Sequence, residues 1–166
     1  MFGLQFRFLS FFFGIISILS FFNIIYSYYL NLYLNLNTYY YSLIISLIIS
    51  IIFYKIETPQ KKISIFDKIL TVFLGYIIIP VILSIPFYLS IYNLTFLNSY
   101  FEAISGFTST GFSIFDNIKH VDQSLILWRS SNQWVGGLYF LYSIILLIDI
   151  YDENFKKTLT NFISFD

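Results

Sequence analysis

The sequence predicts an all-α integral membrane protein, and three observations support this fold class. Of its 166 residues, 58% are hydrophobic and only 11% are charged, whereas soluble domains have roughly 25% charged residues. Four apolar runs approach the ~20 residues that a helix needs to cross a bilayer. A shorter apolar run lies before the fourth and leads into a stretch rich in glycine, serine and threonine. We expect an N-terminal transmembrane helix pair followed by one unit of helix, re-entrant half-helix, loop and helix.

The first two spans are predicted at Phe8–Tyr28 and Leu36–Ile56. The first run differs from a cleaved signal peptide, because Arg7 is the only basic residue before it and no small-residue cleavage site follows it. We therefore interpret it as a retained transmembrane helix that pairs with the second span.

The third and fourth spans are predicted at Ile69–Ile91 and Leu125–Ile150. Proline lacks the backbone N–H of a regular helix, so Pro80 and Pro86 are expected to kink the third span or mark its end. The fourth span begins with the polar letters LWRSSNQW, which places Arg129 about one turn inside it.

The segment Leu97–Phe107 is too short to cross a membrane, since a helix of this length extends only about 16 Å. A run of this size is typical of a re-entrant segment or a buried core helix. The letters SGFTSTGFS overlap its end, and non-helical backbone at membrane depth is tolerated only inside protein or beside a watery cavity.

The basic residues predict the orientation of the chain. Seven of them lie before span one, from the last turn of span two to the start of span three, or after span four: Arg7, Lys55, Lys61, Lys62, Lys68, Lys156 and Lys157. The positive-inside rule then places both termini and the Glu57–Lys68 loop in the cytoplasm. A formal net charge of zero argues against nucleic acid as a partner.

Glycine and threonine after a half-helix suit the binding of a dehydrated monovalent cation. Backbone carbonyls can replace the water shell of such an ion, and glycine permits the positive φ that aims successive carbonyls at one axis. The negative C-terminal end of the half-helix would also favour a cation.

The letters FEAISGFTSTGFS and LWRSSNQWVGG resemble the first pore repeat of the Trk/Ktr/HKT potassium-transporter superfamily, in its TrkH-like membrane subunits. The resemblance covers Asn98 to Leu138 and implies four such repeats around one pore, of which this chain supplies one filter segment. Potassium is the transported ion it implies, with no bound cofactor. Its implied partners are the remaining repeats, a second copy in a homodimer, membrane lipid and a cytosolic nucleotide-binding regulatory subunit.

By this resemblance the selectivity filter falls on Thr108, Ser109, Thr110, Gly111 and Phe112, with potassium bound by the backbone at the first four. A serine at the position of Gly111 is associated with sodium transport in the plant branch, so glycine favours potassium. Glu102 and Arg129 would support the pore unit, by pairing with each other. For Arg129 the alternative is a side chain that reaches to the outer interface.

Two departures from the family pattern concern single residues: Ser109 replaces a frequent threonine, and Tyr139 replaces a glycine that commonly follows Gly136 and Gly137. The second departure puts tight helix packing there in doubt. The third departure is length, because one repeat supplies a quarter of a filter. We expect an N-terminal fragment, a truncated reading frame or one piece of a split protein, divided into a helix pair (1–62), the first pore repeat (63–150) and a cytoplasmic tail or linker (151–166).

Other functions remain open or are disfavoured. The chain could be a non-transporting scaffold or accessory subunit, a relic of a transporter, or a sodium-permeable variant. Asp116 and Asp122 could concentrate cations at the outer mouth or be ordinary solvated loop charges. An enzyme is not expected, because His120 is the only histidine and no nucleophile elbow is present.

Overall fold

The fold is described by a computed structural model that covers residues 5–56, 65–117 and 120–163, with side chains described up to residue 147. All regular structure in these ranges is helical. The six helices are α1 (Phe6–Tyr29), α2 (Leu36–Lys55), α3 (Ile65–Leu83), α4 (Ile85–Tyr88), α5 (Phe96–Phe107) and α6 (Gln123–Ile163).

Helices α1 and α2 form an antiparallel pair that confirms the first two predicted spans to within two residues at each end. Serines line the contact between them. Ser10 Oγ donates to the Ser50 carbonyl at 2.8 Å and Ser50 Oγ donates to the Ser10 carbonyl at 2.9 Å, while Ser20 Oγ donates to Ser42 Oγ at 3.2 Å. Small residues allow helices to approach closely, and hydrogen bonds from their hydroxyl groups hold the helices together where water is absent.

The third predicted span, Ile69–Ile91, is confirmed as a span, but its bounds shift to Ile65–Tyr88, and the expected break lies before Pro86. Helix α3 begins four residues earlier, at Ile65, contains Pro80 and ends at Leu83, and the short helix α4 follows with Pro86 in its first turn. Because Pro86 has no N–H, regular helical bonding cannot continue through this point. The indole N–H of Trp128 donates to the Leu83 carbonyl at 3.0 Å, so α6 satisfies a carbonyl beside the break.

Helix α5 confirms the predicted half-length segment, since it starts one residue before Leu97 and ends at Phe107. The Thr95 side chain caps it by accepting a bond from the Asn98 N–H at 3.3 Å. Twelve residues correspond to roughly 18 Å of helix, well short of a bilayer.

Helix α6 is longer than the predicted fourth span, because it continues from Gln123 to Ile163 as 41 residues. No glycine or proline follows Gly137 within it, so nothing in its sequence ends the helix at Ile150. The expected boundary between pore repeat and tail at residue 151 therefore lies within one helix.

The prediction of an all-α membrane protein is confirmed. Within the described ranges three helices are long and apolar enough to cross a membrane: Phe6–Tyr29, Leu36–Lys55 and the α3–α4 segment Ile65–Tyr88. The fourth predicted span is not among them; it lies in α6, whose side chains are described only to residue 147. The predicted cytoplasmic loop Glu57–Lys68 lies mostly outside the described residues, as do Lys61 and Lys62 within it.

Tyr139 fills the contact between α6 and α3 and corrects the doubt about tight packing at this position. It is fully buried, donates from its hydroxyl to the Val72 carbonyl at 2.8 Å and packs edge-to-face on Phe12 and Tyr76. A Cβ on Gly75 would collide with its phenol ring. The glycine that permits close approach therefore lies on α3 at this contact, opposite the large side chain of α6.

Candidate functional site

The candidate site lies where α5 ends and the chain turns back along it. The Thr108 N–H still bonds to the Ile104 carbonyl at 2.8 Å, whereas the Thr110 N–H reaches the Ser105 carbonyl at 2.9 Å. Ser109 sits between them with a φ of 55°, in the left-handed region that non-glycine residues seldom adopt. The turn carries the chain off the helix within two residues.

Gly111 has a φ of 84°, and no atom lies within 4 Å of the place that a Cβ would take. Glycine is therefore required here by the backbone conformation rather than by lack of space, because a left-handed backbone costs other residues about 1–2 kcal/mol.

The carbonyl groups of the turn differ in their partners. Within the described part of the chain, no hydrogen bond reaches the carbonyl oxygens of Thr108, Ser109 and Thr110, and all three residues are exposed. The Gly111 carbonyl accepts from Arg129 Nη2 at 3.2 Å. The Phe112 carbonyl accepts from Ser105 Oγ at 2.7 Å and from Arg129 Nη2 at 3.4 Å.

The threonine hydroxyls also belong to this turn. Thr108 Oγ1 lies 2.7 Å from Thr110 Oγ1 and donates to the Ile104 carbonyl at 2.8 Å. Because that donation uses the single proton of Thr108, Thr110 is the donor of the bond between the two hydroxyls. The C-terminal end of α5 therefore carries two threonine hydroxyls close to the carbonyls of the turn.

Glu102 holds the segment after the turn against the helix before it. The side chain is fully buried and accepts from the Ser113 hydroxyl at 3.1 Å and from the Ile114 N–H at 3.0 Å. Arg129 Nε approaches Glu102 Oε1 at 2.5 Å. A buried carboxylate needs such a set of donors, because an unpaired charge away from water is strongly unfavourable.

Arg129 thus links α6, Glu102 of α5 and the carbonyls of Gly111 and Phe112. Its side chain retains 17% exposure. The sequence left two interpretations of Arg129, pairing with Glu102 or reaching to the outer interface, and in the structure Arg129 pairs with Glu102. The bonds from Arg129 to the turn itself were not expected, although a fork of five N–H donors suits such bridging.

The end of α5 rests directly on the backbone of α6. A Cβ on Gly136 would collide with the Phe107 carbonyl oxygen, and one on Gly106 would lie 3.3 Å from Asn132 Cβ. Gly137 has no atom within 4 Å of its Cβ position. Of the glycine pair, Gly136 therefore permits the close packing, and this contact fixes where the turn begins.

The remaining candidate residues lie apart from this arrangement. Asp116 and His120 are exposed, and within the described residues no group of three or more His, Cys, Asp or Glu side chains could hold a metal. Asp122 is neither a free charge at an outer mouth nor a plain solvated one, since its Oδ2 accepts from Asn35 Nδ2 at 2.9 Å and from Ser124 Oγ at 2.6 Å.

Sequence reasoning missed three polar residues that hold the site or its surroundings together. Ser105 binds the Phe112 carbonyl, Ser113 binds Glu102, and Asn35 binds Asp122. Ser105 and Ser113 lie inside the unusual polar stretch, which was the available signal for them. Asn35 gave none, because its partner is 87 residues away.

Three curated proteins are similar to part of this chain. An uncharacterized cation transporter of Methanocaldococcus jannaschii, MJ1485, is 31% identical over 87 residues, which is 52% of this chain and 18% of the relative. The Trk system potassium uptake protein TrkG of Escherichia coli is 32% identical over 73 residues, 43% of this chain and 15% of that protein. The Trk system potassium uptake protein TrkI of Halomonas elongata is 35% identical over 65 residues, 39% of this chain and 13% of that protein.

The matched residues therefore span less than a fifth of the length of these relatives. No family model matches the chain, and no solved structure matches it.

Proposed function

Since the chain is related to Trk-type cation transporters, we propose that it supplies one of four filter segments through which potassium crosses the cell membrane. Its residues Thr108, Ser109, Thr110 and Gly111 would offer backbone oxygens to the ion, with Phe112 closing the segment. The step is permeation driven by the ion gradient or the membrane potential, without covalent chemistry, so the chain is not an enzyme.

The observation that best supports this proposal is the set of carbonyl oxygens at the end of α5. The residues Thr108, Ser109 and Thr110 are exposed, and no hydrogen bond reaches their carbonyl oxygens in the described part of the chain. Oxygen atoms of this kind replace the hydration shell of potassium in carbonyl-lined filters. The partial negative charge at the C-terminal end of α5 adds to their attraction for a cation.

Gly111 stays in the proposed set although Arg129 donates to its carbonyl. A carbonyl oxygen has two lone pairs, so one remains for an ion. The charge of Arg129 is balanced by Glu102, which reduces its repulsion of a cation. Potassium is the preferred ion in this proposal. Gly111 would keep the permeability to sodium low, and a sodium-permeable transporter is the alternative.

Several parts of the proposal concern the surroundings of the chain. The remaining three repeats would complete the ring of oxygens, two transporter copies would form a homodimer, and a cytosolic nucleotide-binding subunit would regulate them. We place the chain in the inner (plasma) membrane with both termini in the cytoplasm. No bound cofactor and no nucleic acid take part.

Growth of cells that lack their own potassium uptake tests this function. Expression of the chain together with the remaining pore repeats should restore growth at low potassium, and expression of the same proteins with 108–112 deleted from the chain should not. Restored growth without that segment would contradict the proposal. Absence of growth despite correct insertion of the undeleted chain into the membrane would favour the alternative, a non-transporting scaffold or relic.

A further inference from the structure

A groove on the outer face of the α1–α2 pair lies far from the filter segment in the chain and has no part in the proposed transport. Its volume is about 400 Å³. Arg7 stands at one end with Tyr54 of α2, Gly14 forms the middle, and Ile15 and Ile18 continue the wall along α1.

The length of the groove matches half a bilayer. Eleven residues separate Arg7 from Ile18, which corresponds to about 16 Å of helix, while the hydrocarbon core of a bilayer is roughly 30 Å thick. The groove therefore runs from one membrane surface towards the middle, the depth that one acyl chain of one leaflet occupies.

The polarity of the groove changes along its length in the same way as that of a phospholipid. Arg7 is exposed, and no carboxylate of the described residues pairs with it. Tyr54, which is 69% exposed, stands at the same end with its phenol group. Further along, the hydroxyl of Ser50 is bonded to α1, so it presents no unsatisfied donor to an apolar occupant.

Gly14 gives the groove its depth. A Cβ at this position would lie 3.5 Å from Ser50 Oγ, an ordinary contact distance. The Cβ of a larger side chain at Gly14 would therefore fit beside α2, and its remaining atoms would fill the groove.

We propose that this groove binds an anionic phospholipid of the cytoplasmic leaflet. The phosphate lies against the guanidinium of Arg7 and the hydroxyl of Tyr54, and one acyl chain lies along Gly14, Ile15 and Ile18. Basic residues near the cytoplasmic surface attract anionic lipids, and an apolar channel that ends near mid-membrane suits an acyl chain better than a polar ligand. The inference rests on the proposed orientation of the chain but does not depend on potassium transport.

Native mass spectrometry of the purified chain in detergent tests the site directly. Phosphatidylglycerol and phosphatidylcholine are added separately, and bound lipids are counted for the parent chain and for three variants. Arg7→Gln removes the charge, Gly14→Leu fills the groove, and Lys55→Gln is the control, because Lys55 is an exposed basic residue at the same end of α2 that does not line the groove.

The parent chain should bind phosphatidylglycerol more tightly than phosphatidylcholine by about fivefold, the effect of one basic residue at an anionic surface. Arg7→Gln should abolish this preference, Gly14→Leu should lower binding of both lipids, and Lys55→Gln should leave both unchanged. Equal losses in Arg7→Gln and Lys55→Gln, or no preference in the parent chain, would overturn the proposal.

Helical content measured by circular dichroism guards against a folding defect in Gly14→Leu. Ile18→Trp fills the deep end of the groove instead, without touching the Gly14–Ser50 contact. If this variant folds and binds phosphatidylglycerol as the parent chain does, no acyl chain lies in the groove and the proposal fails.

Discussion

At the scale of single residues, Arg129 makes three hydrogen bonds from one side chain. Its guanidinium pairs with Glu102 and donates to the carbonyls of Gly111 and Phe112. The arginine thereby joins the helix before the turn, the turn itself and the helix after it. The bond to Glu102 is partly buried and therefore counts for more than the two bonds to the turn, which are exposed.

Removal of either charge should destabilise the fold. Breaking a buried ion pair costs about 3–5 kcal/mol, and the expected loss is near the lower end for Glu102→Gln, because the guanidinium it leaves unpaired is 17% exposed. Arg129→Gln should cost more, because it leaves the fully buried Glu102 carboxylate without a counter-charge. Thermal unfolding in detergent measures both, with the exposed Asp116→Asn as control. Melting temperatures equal to that of the control would refute the structural role of the pair.

The sequence could predict the Glu102–Arg129 pair but not the whole of its environment. Two charges in an otherwise apolar region must neutralise each other or reach water, and this reasoning needs no coordinates. The bonds from Arg129 to Gly111 and Phe112 depend on how the turn folds back onto α5. That path depends on positive φ angles at Ser109 and Gly111; the glycine indicated the second, but nothing in the sequence indicated the first.

At the scale of helices, two glycine contacts determine how closely α6 packs on its neighbours. Gly136 lies on the last carbonyl of α5, and Gly75 of α3 receives the ring of Tyr139. The Phe107 carbonyl occupies the space that a Cβ on Gly136 would take, and the Tyr139 ring occupies the space of a Cβ on Gly75. Close approach of this kind supplies the van der Waals contact that drives helix association in membranes.

The neighbouring glycines Gly136 and Gly137 provide a matched pair of substitutions. Gly136→Ala should destabilise the protein by ~3 kcal/mol or more, because overpacking costs about 1–3 kcal/mol even where side chains can move and here the obstacle is a backbone carbonyl. Gly137→Ala should be neutral or stabilise by up to about 1 kcal/mol through helix propensity. Equal effects in thermal unfolding would mean that α6 does not rest on α5 as described.

The positions of the helices could be predicted, because apolar runs and prolines act locally. The contacts between helices were harder to predict. The bounds of α1, α2 and α5 follow from runs of Ile, Leu and Phe. Tyr139 gave a misleading signal, because only the three-dimensional contact reveals that Gly75, 64 positions earlier in the numbering, makes room for it. The break after α3 was expected from Pro86, whereas the bond from Trp128 to the last carbonyl of α3 was not.

At the scale of the whole molecule, the N-terminal helix pair and the pore unit are connected by polar bonds in addition to apolar packing. Asn35 donates to Asp122 and accepts from the Ile91 N–H at 3.1 Å, and Tyr39 donates to Ser124 at 3.0 Å. These bonds join the start of α2 and the residue before it to the start of α6 and to the segment between α4 and α5. The helix pair is therefore packed as part of one structure with the candidate site.

The proposed orientation gives a clear labelling prediction, since the chain contains no cysteine. A membrane-impermeant thiol reagent added outside intact cells should label Asp116→Cys and leave Lys61→Cys unlabelled until the membrane is opened. The reason is the excess of basic residues around Lys61, which the positive-inside rule assigns to the cytoplasm. The reverse pattern would invert the topology and with it the entrance side of the filter.

The central claim is that the backbone at 108–111 selects potassium, and tracer uptake with Gly111→Ser tests it most directly. Potassium and sodium uptake are measured for the chain assembled with the remaining pore repeats, with Gly137→Ser as the control glycine. We predict that the parent prefers potassium, that Gly111→Ser raises the ratio of sodium to potassium uptake because a Cβ disfavours the φ of 84°, and that the control keeps the parent ratio. An unchanged ratio in Gly111→Ser, or the same rise in Gly137→Ser, would contradict the account.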